Sequence, residues 1–290
     1  METRIISPKG KEVIIGDARP IAIIGERIHP FGKGPLKEAM KKGDMEPIRT
    51  EAVQQVEAGA DMLMISTAAF GLDETEVLPR VARTVLEAVD VPLCLESRNE
   101  TALEKALALG LGKPIVSSVT GEDGLLERIL PVVLRHQTAL IILASDASGI
   151  PAEAQRRVEI IGRIREKALA FGLKDTDLLA DAVAESSAVH PQAARTTLET
   201  LQGIKKHWGL NLVLGVSNVS FGLPLRTVVN TVFLSLAARY GLNAAIVNAK
   251  AMKPYLLAAD LLLGRDPQAR RYTRYCRTLL QSTGPKTPRP

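Results

Sequence analysis

Hydrophobic positions along this chain come in short, nearly unbroken runs, each followed by a longer stretch of helical periodicity. The apolar runs cover 21–28, 62–67, 93–97, 114–119, 139–145, 178–183, 212–217 and 244–249. Most do not alternate between polar and apolar, as expected for strands covered on both faces. Helical stretches follow at 47–58, 74–89, 99–109, 124–137, 153–171, 192–207, 225–241 and 255–263. Asn99 reads as an N-cap, and Pro151, Pro191 and Pro224 stand near helix starts. Gly59, Gly110, Gly172, Gly209 and Gly241 fall just past helix ends, where a left-handed residue is wanted.

Eight β–α units over 21–264 predict an α/β fold of the TIM (β/α)8 barrel type. The structural rival is a doubly wound open sheet. It lacks support, because no Gly-x-Gly-x-x-Gly follows the first strand. Residues 4–7 and 12–15, split by Pro8-Lys9-Gly10-Lys11, predict a hairpin within an N-terminal segment 1–20 that caps the barrel's N-terminal face. Residues 265–290 predict an extra helix and a Pro-rich, mobile end. A single domain over 1–290 accounts for the whole pattern.

Composition refines this reading. Hydrophobic residues make up 46% of the 290 and aromatics only 3%, so the core must be built from Ala, Val, Ile and Leu. The net charge of +5 is local. Seven Lys/Arg and one Asp give +6 over 265–290, leaving −1 for the other 264 residues. That pattern suits a solvated basic helix, and no nucleic-acid-binding motif accompanies it. Cys94 and Cys276 form neither a disulfide framework nor a metal cluster, and Cys94 sits inside an apolar run as a core residue would. No signal segment follows Met1 and no run reaches the length of a membrane span, so a cytoplasmic protein is expected.

In such a barrel the C-terminal strand ends form the pocket. Glu26, Glu96 and Asp181 terminate or nearly terminate apolar runs. A buried acid is costly unless paired or hydrogen-bonded, so each is a candidate for function. The alternatives are a helix cap or an ion pair, for example Glu26 with its neighbour Arg27. Asp146 reads as a turn residue. Asn218 ends the seventh run with an amide that can donate and accept without charge. Acids and amides with little positive charge suit a ligand rich in N–H donors, such as a guanidine-like or pterin-like ring. A metal is less suited, because His29, His136, His190 and His207 are scattered and only His29 follows a strand end.

Three segments carry a resemblance: Ile23-Ile24-Gly25-Glu26-Arg27-Ile28, Leu93-Cys94-Leu95-Glu96-Ser97 and Gly215-Val216-Ser217-Asn218-Val219-Ser220. On these, the chain resembles the pterin-binding methyltransferases that move a methyl group from methyltetrahydrofolate to the cobalt of a corrinoid protein. The folate module of cobalamin-dependent methionine synthase and, more distantly, dihydropteroate synthase are relatives. The resemblance implies methyltetrahydrofolate as substrate, a corrinoid (cobalamin) supplied by a partner protein, no tightly bound metal, and a homodimer. It implies Asn218 as the catalytic residue near N5 of the folate, and Asp181 as a pterin-ring carboxylate. Glu96 falls where the family usually has Asp, and Ser117 where an asparagine usually contacts the pterin. Met64 and Ser66 replace a common Asp-x-Asn. Glu26, Ser220 and Arg226 complete the implied substrate-binding set. Loops 29–46 and 219–224 would meet the corrinoid partner. A dihydropteroate-synthase-like enzyme is the alternative, disfavoured because Lys250 is the only cation near the last strand end. A catalytically weakened pterin-binding protein is the other.

Overall fold

A computed structural model describes residues 1–31 and 35–283. Eight parallel strands close into a barrel: β3 (Ala22–Ile28), β4 (Met62–Ser66), β5 (Leu93–Glu96), β6 (Ile115–Val119), β7 (Ala139–Leu143), β8 (Leu178–Asp181), β9 (Asn211–Gly215) and β10 (Leu242–Val247). Each pairs with its sequence neighbour, and β10 returns to β3, with Ala244 opposite Ala22. An antiparallel hairpin precedes them, β1 (Glu2–Ile6) with β2 (Glu12–Gly16).

The continuous apolar runs are explained by two separate cores. One face of each strand points into the barrel, where Ile24, Met62, Cys94, Ile115, Ile141, Leu179, Val213 and Ala244 pack together. Ile5 and Ile15 of the hairpin join this interior cluster and plug the N-terminal end. Asn211 at the start of β9 donates to Thr3 Oγ1 and to the Ile15 carbonyl, both at 3.0 Å, and ties the plug to the barrel. The other face packs against the helices in a larger cluster that runs around the whole ring. At roughly 25 cal/mol per Å² of apolar surface removed from water, this two-sided burial dominates the stability.

The helices are α1 (Leu36–Lys42), α2 (Glu46–Glu57), α3 (Glu74–Ala88), α4 (Glu100–Leu107), α5 (Asp123–Arg135), α6 (Ala154–Ala170), α7 (Ala193–Trp208), α8 (Arg226–Arg239), α9 (Ala249–Leu262) and α10 (Arg270–Thr283). Their punctuation follows the sequence. Asn99 caps α4 by accepting from Ala102 N at 3.1 Å, and the five glycines expected past helix ends all have positive φ. Three differences stand out. The helix expected at 255–263 starts at Ala249, capped by the Asn248 side chain. The last strand starts at Leu242 rather than 244, because Gly241 already turns the chain. A short helix, α1, forms within the 29–46 loop, where no apolar period announces it. Residues 32–34 of that loop, and 284–290 of the expected Pro-rich end, lie outside the described residues.

Among the described residues, no helix is long and apolar enough to cross a membrane. One helix departs from the outer-ring pattern. Between Arg226 and Arg239, α8 carries no charged residue, and it leaves Val228, Val232 and Leu236 exposed.

Candidate active site

The C-terminal mouth of the barrel opens into a cavity of about 680 Å³. All eight strands contribute to its wall at or near their ends, and β6 and β8 bring Ser117 and Asp181 to it. Glu26, Glu96, Ser117, Asp181, Asn218 and Arg226 all line this one cavity. Met64 and Ser66 face it from β4.

Glu26 turns inward while its neighbour turns out. Arg27 pairs with Glu51 on α2 at 3.2 Å, whereas the Glu26 carboxylate accepts from Ser217 Oγ, 2.9 Å from each oxygen. The pairing of Glu26 with Arg27 considered from sequence does not form. Gly25 sets this geometry. A Cβ there would lie 2.5 Å from Gln55 Oε1, and that oxygen accepts from Arg27 N at 3.1 Å. The bare backbone therefore lets Gln55 hold the strand end.

All three acids are pushed toward their protonated forms, chiefly by burial. For Glu26 the Ser217 hydrogen bond and the charge of Arg226 oppose the rise. For Glu96 the nearby Ser66 hydroxyl opposes it and Glu74 adds to it. The Ser66 hydroxyl is nevertheless left without a well-formed hydrogen bond. Asp181 is raised furthest, to about 7, against the pull of the Val183 N–H and the Arg157 charge. Its Oδ1 accepts from Val183 N at 2.7 Å. Neither Glu96 nor Asp181 caps a helix, and neither is salt-bridged among the described residues.

Asn218 lies in a single short turn of 3-10 helix, Val216–Ser220, that continues β9. Its side chain is exposed at the rim and folds back over Gly215, where a Cβ would stand 3.1 Å from Asn218 Nδ2. Among the described residues, the Asn218 amide has no side-chain hydrogen-bond partner. Arg226, at the first turn of α8, secures the turn by donating to the Ser217 carbonyl at 2.7 Å.

Ser220 does not face the cavity. It is fully buried, donates to the Ser217 carbonyl at 3.2 Å and accepts from Arg226 Nε at 3.0 Å. In a three-residue turn, Ser217 and Ser220 share a side, and only the first reaches the mouth. Asp146 is a turn residue as read from sequence, accepting from Ser148 N at 3.0 Å. Cys94 is a buried core residue whose thiol is pushed far up by burial.

Other residues also line the mouth, and of these Asn230 was not placed there from the sequence. Asn230 lies one turn along α8 from Arg226, is 8% exposed, and leaves its Oδ1 without a partner. A buried amide in the uncharged stretch of α8 was the available signal. Asn248 caps α9 with its side chain and gives its backbone N–H to Glu26. His29 faces the mouth with Nδ1 accepting from Phe31 N at 3.1 Å, and burial and Arg27 hold its pKa down. Among the described residues, no three His, Cys, Asp or Glu groups stand close enough to hold a metal ion.

A family model described as "Pterin binding enzyme" matches residues 36–248, most of the barrel, and the chain belongs to that family. Methylcorrinoid:tetrahydrofolate methyltransferase of Eubacterium limosum is 28% identical over 258 residues, covering 87% of this chain and 94% of that protein. Methionine synthase of Mycobacterium tuberculosis is 29% identical over 247 residues, 81% of this chain but only 21% of that much longer protein. A dihydropteroate synthase structure from Xanthomonas albilineans, solved with 4-aminobenzoic acid, superposes with a TM-score of 0.69 at 17% identity, covering 91% of this chain and 99% of that one. This last likeness establishes the shared barrel fold.

Proposed function

We propose that this pterin-family enzyme is a methyltransferase that moves the N5 methyl group between tetrahydrofolate and the cobalt of a corrinoid carried by a partner protein. The observation that carries the reading is the unpartnered Asn218 amide on the rim of a cavity lined by acids. The near-full-length likeness to the Eubacterium limosum methyltransferase supports it.

The residues divide into two tasks. Asp181 and Glu96 supply carboxylates on the cavity wall, suited to accept from a pterin ring N–H and its amino group. Ser117, 5% exposed beside them, adds a hydroxyl. Glu26 anchors Ser217, and Arg226 with Ser220 holds the turn, so the Asn218 backbone is kept at the rim of the cavity.

The chemistry explains the need for an amide. In the forward direction the C–N5 bond breaks and the methyl joins cob(I)alamin, whose cobalt supplies the electron pair. The bonding pair stays on N5, which must take up a proton or a strong hydrogen bond as it leaves. A tertiary amine is otherwise a poor leaving group. Asn218 can accept from a protonated N5 and donate to a neutral one, so it follows the charge change in both directions.

The corrinoid partner would dock over the mouth, against the described parts of loop 29–46 and against 219–224. Phe221 is 68% exposed there and stacks near Arg226. The homodimer implied by resemblance would use the uncharged outer face of α8. Titration of the protein with methyltetrahydrofolate, followed by addition of cob(I)alamin, tests the reading. Saturable binding and demethylation are expected. Absence of folate binding would refute the reading, and binding without transfer to the proper corrinoid partner would favour a catalytically weakened pterin binder.

A further inference from the structure

Among the described residues, Arg157 is the largest of the fully buried side chains, at 1% exposure, on the first turn of α6. Its guanidinium leaves its own β–α unit and reaches the exit of β8. Nε donates to the Pro151 carbonyl at 2.7 Å. Nη1 donates to the carbonyls of Ala182 at 3.0 Å and Val183 at 2.8 Å. Nη2 meets the Glu185 carboxylate. Most of the acceptors are thus backbone oxygens, and two belong to the residues that immediately follow Asp181.

That exit is strained. Val183 is β-branched and has φ of 60°, a conformation such residues rarely adopt. Three contacts hold it there: Val183 N donates to Asp181 Oδ1 at 2.7 Å, Thr197 Oγ1 donates to the Val183 carbonyl at 2.9 Å, and Arg157 donates to the same carbonyl. The turn and the carboxylate are fixed as one unit, with the guanidinium behind them.

We propose that Arg157 is a positioning residue for Asp181. It locks the 181–185 turn that aims the carboxylate into the cavity, and its buried charge keeps that carboxylate available as an acceptor. For ligand binding, this rests on the pterin reading above; for the titration of Asp181, it does not.

The charged and titratable groups around Asp181 are few. Arg157 comes from α6, and Glu185 lies behind it with His190 3.9 Å further on. Glu26, Glu96 and Arg226 face it across the cavity. Thr197 of α7 and Gly215 of β9 contribute only uncharged polar groups.

Two substitutions with opposite electrostatic consequences test the assignment. The Asp181 side-chain carboxyl is followed by carbon NMR in the full-length protein as pH is varied. Arg157→Met removes the positive charge, so the Asp181 midpoint moves to higher pH, by about one pH unit or more. Glu185→Gln removes the charge that offsets Arg157, so the midpoint moves to lower pH. Arg157→Lys keeps the charge without the fork and falls between wild type and Arg157→Met. The acid limb of methyltetrahydrofolate binding shifts the same way in each variant. Unmoved midpoints with only lowered thermal stability would overturn the proposal. If Arg157→Met does not fold, an unmoved Glu185→Gln midpoint overturns it alone. If wild type binds no folate, the pterin reading fails, while the carboxyl titration still judges Arg157.

Discussion

Both ends of the barrel bury acids, but they use them differently. At the N-terminal end, Asp260 accepts from Ile21 N at 3.1 and 3.2 Å and pairs with Arg271 at 2.9 Å. Asp61 accepts from Ile23 N at 2.8 Å. Each closes the start of β3, and Ile5 and Ile15 seal the interior above them. At the C-terminal end, Glu26, Glu96 and Asp181 face open space, and none is salt-bridged among the described residues. Burial raises the pKa of acids at both ends. The lesson is that burial alone does not mark a site. Acids satisfied by backbone N–H groups at the entry to β3 are structural, and acids with spare acceptor capacity toward a cavity are candidates for binding.

Exchanging roles between the two ends should therefore fail in measurable ways. The largest effect is expected for Asn218→Ala. Loss of one preorganised polar group at a developing charge costs about 10²- to 10³-fold in turnover. Because the side chain is exposed and unpartnered, the melting temperature should stay unchanged, as thermal denaturation would verify.

Asp181→Asn comes next, and it separates binding from stability. Folate affinity should drop by about tenfold to a hundredfold in a calorimetric titration. Stability should move the other way. Asp181 titrates at about 7 in the fold against 3.8 when unperturbed. Between those values the folded state holds a proton that the unfolded chain has released, so wild-type stability falls as pH rises through this window. Asn has no such proton to lose. The variant should gain up to about 4 kcal/mol over wild type above pH 7 and nothing near pH 4, by urea denaturation at each pH.

Asp260→Ala is the mirror experiment at the other end. It leaves Ile21 N–H buried and unpaired, so a loss of about 2–3 kcal/mol is expected in urea denaturation. Folate affinity and turnover should not change at temperatures where the variant is folded. Ser220→Ala is the smallest. Removing the acceptor for Arg226 Nε should loosen the Asn218 turn by about 1 kcal/mol, seen as a severalfold lower turnover with affinity nearly intact.

The barrel was readable in the sequence because its signals are local. Two-sided strands give unbroken apolar runs, and glycines past helix ends take positive φ. The α1 helix was not, since seven residues within a loop carry too little periodicity. Glu96 and Asp181 were readable because an acid ending an apolar run is conspicuous. Arg157 was not: beside Arg156 it looks like one of a surface pair, and only the reach from α6 to the β8 exit reveals its burial. Ser220 was placed with Asn218 by adjacency, but a 3-10 turn sends it inward. Asn230 reaches the mouth from the start of α8, whose rotation about its own axis the sequence does not specify.

The central claim is methyl transfer at the open end of the barrel. A single-turnover mixture of the protein, methyltetrahydrofolate and a corrinoid protein reduced to the cob(I) state tests it most directly. Decay of the cob(I) absorbance, with one methylcobalt formed per folate consumed, is the expected result. Saturating folate with no enzyme-dependent decay across a panel of corrinoid proteins, including the chain's own partner, would contradict it.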